Sequence, residues 1–362
     1  MQKGKVRNMF SGGNTSKGFF SRFDHIMSHE DARRIFVIKG GPGTGKGTFM
    51  KNISEIMTNR GYDTEHIHCS SDSKSLDALV IPELKVALLD GTAPHVIDPK
   101  APGAVDEIIN LGEYWCGSAL AEKREEIMKI SNEISVFFQR AYRYLKAARH
   151  IYEDSSILYG SAMDKAGLNS IAGEFTGMLF DVFPPACKPG RQRCLFASAI
   201  TPDGLVSYVD DLMTLDSIYV FEGFPGSGTD IVLEKIKEAA VERGFNVEAF
   251  YCGFDPDKLE HLIIPELNTG FSTAGKYHST DACVNKRVDF RELLNDSAIS
   301  KLGPELEYND HEFGSLLNKA VEMISNAKKL HDELEAFYIQ NMDFEGIRKK
   351  QDETVQKILS YS

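Results

Sequence analysis

The chain has 362 residues, long enough for two domains, and its 42% hydrophobic and 26% charged content excludes a largely disordered protein. Lys and Arg total 41 against 53 Asp and Glu; the net charge of -12 argues against nucleic-acid and anionic-membrane partners, with only 188–193 forming a short basic stretch. No apolar run reaches membrane-spanning length, no apolar segment follows the charged N-terminus, and the six cysteines include no C-x-x-C pair, so a cytoplasmic protein with reduced thiols is expected.

The chain repeats itself. Residues 35–84 align without a gap to 218–267 at an offset of 183, with 19 identities in 50 positions, where chance would give about 3 from average residue usage. Earlier matches at an offset of 186 include Phe10/Phe196, Thr15/Thr201 and Gly18/Gly204. The proline-rich stretch 183–190 separates a first unit, 1–182, from a second, 191–362. An approximate intramolecular two-fold pairing of the halves is expected.

In chain order, each half opens with two short apolar runs around a Gly-containing turn, a hairpin signal. The first copy alone carries Gly12, Gly13, Asn14 and Lys17. Two glycines permit close backbone approach and Lys17 adds a mobile cation, so this is a candidate substrate loop as well as a plain hairpin tip. Residues 35–39 read as a buried strand feeding the glycine string Gly40 to Thr48. A helix follows from about 47 to 60, ended by Gly61. Residues 64–68 read as a strand, 76–79 as a short helix, and 86–89 as an apolar strand ending at Asp90. Strands alternating with helices and apolar on both faces indicate a parallel α/β sheet. Beyond Leu111 the apolar residues from Leu120 to Leu158 keep 3/4 spacing, predicting a helix of about 40 residues, roughly 60 Å long. Phe313 to Tyr338 repeats the pattern. These arms are read as packing helices in preference to levers or lids, and their matching seams are expected to pack on each other.

The string Gly40-Gly41-Pro42-Gly43-Thr44-Gly45-Lys46-Gly47-Thr48 lies between a strand and a helix. Glycines there let backbone N–H groups turn inward around phosphate oxygens, with Lys46 reaching the β- and γ-phosphates. This loop resembles the P-loop NTPase superfamily, and its form is similar to that of nucleoside monophosphate kinases such as adenylate kinase. The Gly-Pro-Gly-Thr-Gly-Lys core equally resembles AAA-type ATPases, and the duplicated chain is similar to uncharacterised bacterial ATP-binding proteins. The resemblance, which covers about 35–95, implies two tandem P-loop NTPase-like domains, ATP and Mg2+ as ligands, Thr48 at phosphate, and Asp90 as the Walker B carboxylate. Thr48 and Asp90 would then act on a largely water-bound Mg2+. The chain departs from the kinase pattern in three places. Asp90 follows Lys46 by only 44 residues, His95 stands near an expected arginine, and no arginine-rich lid is present. No Glu follows Asp90 to activate water.

The second copy has Thr229 for Lys46, Asp230 for Gly47 and Thr273 for Asp90. A degenerate loop with very weak triphosphate binding is expected. Cys69 and Cys252 read as buried structural thiols, and Asp72/Asp255 and His95/His278 as structural pairs, His95 with a secondary catalytic reading. The leading functional reading is ATP hydrolysis at one site. A kinase with an unknown small-molecule acceptor and a nucleotide-sensing scaffold for a protein partner are the rivals.

Overall fold

The computed structural model describes residues 2–93, 96–277, 279–280 and 282–362; His95 and His278 lie outside the described residues. In the first half β1 (Val6–Phe10) precedes the hairpin β2 (Gly12–Thr15) and β3 (Gly18–Ser21). Then come β4 (Arg34–Lys39), α1 (Lys46–Asn59), β5 (Thr64–His68), β6 (Leu76–Ile81), β7 (Val86–Asp90) and β8 (Asp106–Asn110). Three helices follow: α2 (Gly117–Glu122), α3 (Arg124–Ser161) and α4 (Lys165–Phe180). The second half repeats the series as β9 (Gln192–Phe196), the hairpin β10 (Ser198–Thr201) and β11 (Gly204–Ser207), α5 (Val209–Leu212), β12 (Ser217–Glu222) and α6 (Thr229–Glu242). It continues with β13 (Val247–Tyr251), β14 (Leu259–Ile264), β15 (Thr269–Ala274), β16 (Lys286–Asp289), α7 (Asp296–Ile299), α8 (Gly303–Ile339) and α9 (Phe344–Leu359).

The fold is mixed α/β, built on a twelve-stranded sheet in the order β8-β4-β7-β6-β5-β1-β9-β13-β14-β15-β12-β16. Each half is parallel except for one strand: β6 runs against β5 and β7, and β14 against β13 and β15. This corrects the expectation of a short helix at 76–79 and of an all-parallel sheet. All six residues of β6 are buried. Ala78 and Val80 enter the core on one face, and Leu76, Leu79 and Ile81 the core on the other. Burial on both faces gives a short apolar run that periodicity cannot assign to helix or strand.

The half-sheets join where β1 and β9 run antiparallel, in register at Phe10 and Phe196. Side chains reinforce that seam. Arg7 reaches Glu65 (3.1 Å) and Glu248 (2.6 Å), while Arg193 reaches Glu65 (2.6 Å) and Glu248 (3.1 Å). Arg7 and Arg193 are repeat mates, as are Glu65 and Glu248, so two charges from each half close a symmetric ring. Arg193 is thereby removed from the basic stretch 188–193, and Arg191 pairs with Asp31. One core layer runs beneath both halves, from Ile35, Val37 and Leu89 through Leu195 to Ile218 and Phe250.

The other face shows an exchange. Helix α4, carried by the first half, inserts Leu168, Ala172, Phe175 and Phe180 among Phe221, Val232 and Phe271 of the second half. Helix α9, carried by the second, sets Ile347, Val355 and Ile358 against Phe36, Phe49 and Ile53 of the first. The arms α3 and α8 make the crossing. They lie antiparallel, with Asp154 near the end of α3 bonded to Asn309 near the start of α8 (2.6 Å), and Ala141, Leu145 and Ala148 facing Phe313, Ala320 and Ile324. Alanines at the contact let the axes approach closely. The long helices are therefore straps laid across the molecule, as the packing reading expected. No helix among the described residues is long and apolar enough to cross a membrane. All six cysteines are free, and burial pushes the Cys69 and Cys252 thiols well up.

Removing Arg193 from the seam leaves two largely buried carboxylates, Glu65 and Glu248, sharing the single cation of Arg7. Arg193→Met is expected to lower the free energy of unfolding by about 3 kcal/mol in denaturant melts, since the buried pair is then only half compensated. The exposed Arg191→Ala is expected to cost less than about 1 kcal/mol.

Candidate functional site

Strand β4 ends at Lys39, and the chain turns through Gly40–Gly45 into α1. Gly43 (φ 66°) and Gly45 (φ 81°) adopt left-handed conformations that a side chain would strain. With Gly45 at the N-cap, α1 starts at Lys46 and leaves its first N–H groups directed into the loop. Thr44 is buried, and its hydroxyl donates to the Gly41 carbonyl at 2.9 Å, holding the turn closed. Thr48 is exposed on the first turn of α1.

Strand β7 pairs in parallel with β4, setting Asp90 opposite Ile38 at the root of the loop. Lys46 Nζ consequently lies 3.6 Å from Asp90 Oδ2, and it donates to the carbonyls of Gly40 (3.2 Å) and Gly41 (2.9 Å). Burial raises the Asp90 carboxyl above its ordinary range, opposed by Lys46 and by Thr92, whose N–H (2.9 Å) and hydroxyl (2.5 Å) both donate to Oδ1. Glycine backbone, helix N-terminus, lysine and carboxylate thus meet in one place, and the residues from Gly41 to Thr48 fit a polyphosphate chelated to a divalent cation.

Sequence reasoning missed what covers this loop. The end of α8 reaches it from the opposite half, and the Gly43 N–H donates to Glu335 Oε1 at 3.2 Å. His331 Nδ1 stands 3.8 Å from that oxygen; burial lowers the His331 pKa, partly offset by Glu335. His331, Asp332 and Glu335 bring one ligand atom each within 4.8 Å of one another, a cluster that charges this flank negatively. Lys328 on the same helix pairs with Asp72 at 3.3 Å, and its counterpart Arg149 on α3 pairs with Asp255 at 2.9 Å. The persistence of Asp72 and Asp255 in both copies is thereby explained: each receives the cation of the arm arriving from the other half.

The second loop keeps the backbone form, with Gly226 (φ 77°) and Gly228 (φ 82°). Thr229 is fully buried, and the hydroxyls of Ser227, Thr229 and Thr273 lack hydrogen-bond partners. Its surroundings are filled: a Cβ on Gly226 would lie 2.2 Å from the Ser156 carbonyl, and one on Gly228 2.7 Å from Leu168. Asp230 lies in the field of the half-buried Lys258, whose pKa is raised against its own desolvation by Tyr152 and Asp230.

The hairpin residues singled out in the sequence are drawn into the junction of the halves. Gly12 and Gly13 are buried in β2. Asn14 is fully buried, donating to the carbonyls of Ser70 (3.2 Å) and Ile200 (3.0 Å) and accepting from Tyr142 (3.0 Å). Lys17 pairs with Asp257 of the second half, and Ser16 N–H donates to Phe254 O at 2.9 Å. His66 and His68 also have protein partners, Ser54 (2.6 Å) for the first and Asn8 (2.8 Å) for the second. Comparison with protein-family models, curated proteins and solved structures finds no match to this chain.

Glu335 holds negative charge against the glycine loop, accepting from the Gly43 N–H. Glu335→Gln is expected to tighten binding of Mg2+–tripolyphosphate roughly fivefold, about 1 kcal/mol for a partly screened carboxylate. Calorimetry would check this; unchanged or weaker binding would contradict it.

Proposed function

We propose that the chain is an ATP-binding P-loop NTPase that hydrolyses ATP at a single site in its first half, with the second half a degenerate copy of the same domain. The observation that carries this reading is the Lys46–Asp90 pair at 3.6 Å beneath a left-handed glycine turn at a helix N-terminus. Its repeat mates Thr229 and Thr273 carry neither charge.

In this reading the N–H groups of Gly43 to Thr48 cradle the phosphates and Lys46 bears the positive charge toward the β,γ bridge. Asp90 and Thr48 are the residues that would hold a Mg2+ ion, through its waters, and the ion would supply positive charge to offset that on the leaving diphosphate. Water attacks the γ-phosphorus and the bond to the bridging oxygen breaks, its electrons going to ADP; one water proton stays on the inorganic phosphate and the other passes to solvent. Lys46 and the loop amides act on developing negative charge. Because Glu335 rides on α8, which packs along α3, a phosphate arriving at Gly43 bears directly on the strapped arms. Hydrolysis is thereby linked to the fit between the halves.

One nucleotide per chain is expected. Lys46→Ala should reduce phosphate release at least a hundredfold, in line with losing one preorganised charge at the transition state. Thr229→Ala should leave nucleotide affinity unchanged. Calorimetric stoichiometry and a phosphate-release assay test both; two equivalent sites, or full turnover in Lys46→Ala, would overturn the assignment.

A further inference from the structure

Three of the loop glycines, Gly41, Gly43 and Gly45, are approached by large apolar side chains. A Cβ on Gly41 would lie 3.1 Å from Tyr338 Cε1 and 3.3 Å from Trp115 Cζ3. One on Gly43 would lie 2.7 Å from the Glu335 carbonyl oxygen and 3.1 Å from Ile339 Cγ1, and one on Gly45 3.7 Å from Phe344 Cε1. Trp115 and Tyr338 tilt toward each other with ring centroids 5.9 Å apart. Ile339 and Phe344 are 47% and 39% exposed beside the glycine loop. A cleft of about 500 Å³ opens beside them, lined by Tyr114, Trp115, Asn341, Met342 and Asp343. Apart from Tyr114 and Trp115, all these side chains come from the α8–α9 turn of the second half.

The degenerate loop supplies an internal control. Phe224 stands where Gly41 does, and its ring lies 4.7 Å from Tyr159, the counterpart of Tyr338. Leu294 replaces Trp115, which faces Met342 just as Leu294 faces Met163. Gly160 and Lys165 replace Ile339 and Phe344. The indole of Trp115 and the exposed apolar side chains of Ile339 and Phe344 therefore occur only beside the loop that carries Lys46 and Asp90, whereas Tyr338 has a tyrosine counterpart in Tyr159. At Gly41 the absence of a side chain lets Tyr338 and Trp115 close on the loop backbone, while in the twin the Phe224 ring takes part in the contact itself.

We infer that Trp115, Tyr338, Ile339 and Phe344 form the platform that receives the nucleobase of the triphosphate held by the loop, a purine by virtue of its larger stacking face. The inference rests on the nucleotide reading above. Flat apolar side chains around a polyphosphate cradle suit a ligand with one charged end and one aromatic end. Stacking on such side chains tolerates either purine, so the platform selects a class of base. The second half, silent in phosphate binding, thus completes the site of the first.

Trp115 is the chain's one tryptophan, so its emission reports the platform directly. The intact protein is titrated with the Mg2+ complexes of ATP, GTP, CTP and tripolyphosphate, following tryptophan emission and heat. ATP and GTP are expected to bind at least tenfold tighter than tripolyphosphate and to change Trp115 emission more strongly. Phe344→Ala, at an exposed position, should weaken ATP about tenfold and leave tripolyphosphate unchanged; Ile339→Ser should act in the same direction. If tripolyphosphate binds as tightly as ATP, or if both variants weaken the two ligands equally, the platform is overturned while the phosphate loop stands. CTP binding as tightly as ATP overturns the purine assignment. If neither ATP nor tripolyphosphate binds, the nucleotide reading fails and the platform with it.

Discussion

Four charges at the centre of the sheet set the geometry of everything else. Two half-sheets meeting at β1 and β9 share little backbone pairing, so the junction must be fixed by side chains. Arg7 and Arg193 each lie against both Glu65 and Glu248, and each carboxylate therefore answers to both halves. A displacement of one half along the seam would lengthen attractive contacts in a poorly solvated place, where charge separation is costly. With the seam fixed, the two-fold relation follows, and with it the span that α3 and α8 must cross.

That span gives the long arms their meaning. A 38-residue helix is roughly 57 Å long, enough to leave one half-sheet and deliver its successor to the other. The exchange of α4 and α9 means that neither half completes its own hydrophobic layer. It also means that the intact loop is bordered by Glu335, Tyr338, Ile339 and Phe344, residues far away in sequence. The copy that carries Thr229 and Thr273 in place of the lysine and the carboxylate supplies helices on which the core of the other copy depends.

Much of this was legible in the sequence. The repeat, the strand before the glycine string, the helix after it and the strand ending at Asp90 all stand where their local patterns put them, because each is decided by neighbours within a few residues. The seams of the arms were equally plain, since 3/4 spacing over ten turns admits no other element. What the pattern could not give was a destination. An apolar stripe states that it must be buried, and does not state against which of two similar sheets. Glu335 is 292 residues from Gly43, and nothing local marks it. β6 failed for a different reason: six buried residues on two opposite faces have no polar positions to reveal a period of two. Lys17 and Asn14 were notable in the sequence as features of the first copy alone, yet their contacts place them among the groups that lock the halves together. Asymmetry between repeats is thus produced by junctions as well as by sites.

The exchanged helices change what the covalent linker does. Residues 181–189 are exposed, and they join two bodies that already hold each other by α4, α9 and the crossed arms. A single cut there would leave a nicked protein with every buried contact intact, and dissociation would require one fragment's helix to be pulled out of the other fragment's core. The fused backbone acts chiefly during assembly, by presenting each half to its partner at high effective concentration. Once folded, the molecule is secured by topology, and its lifetime is governed by the rate at which a strap can be released.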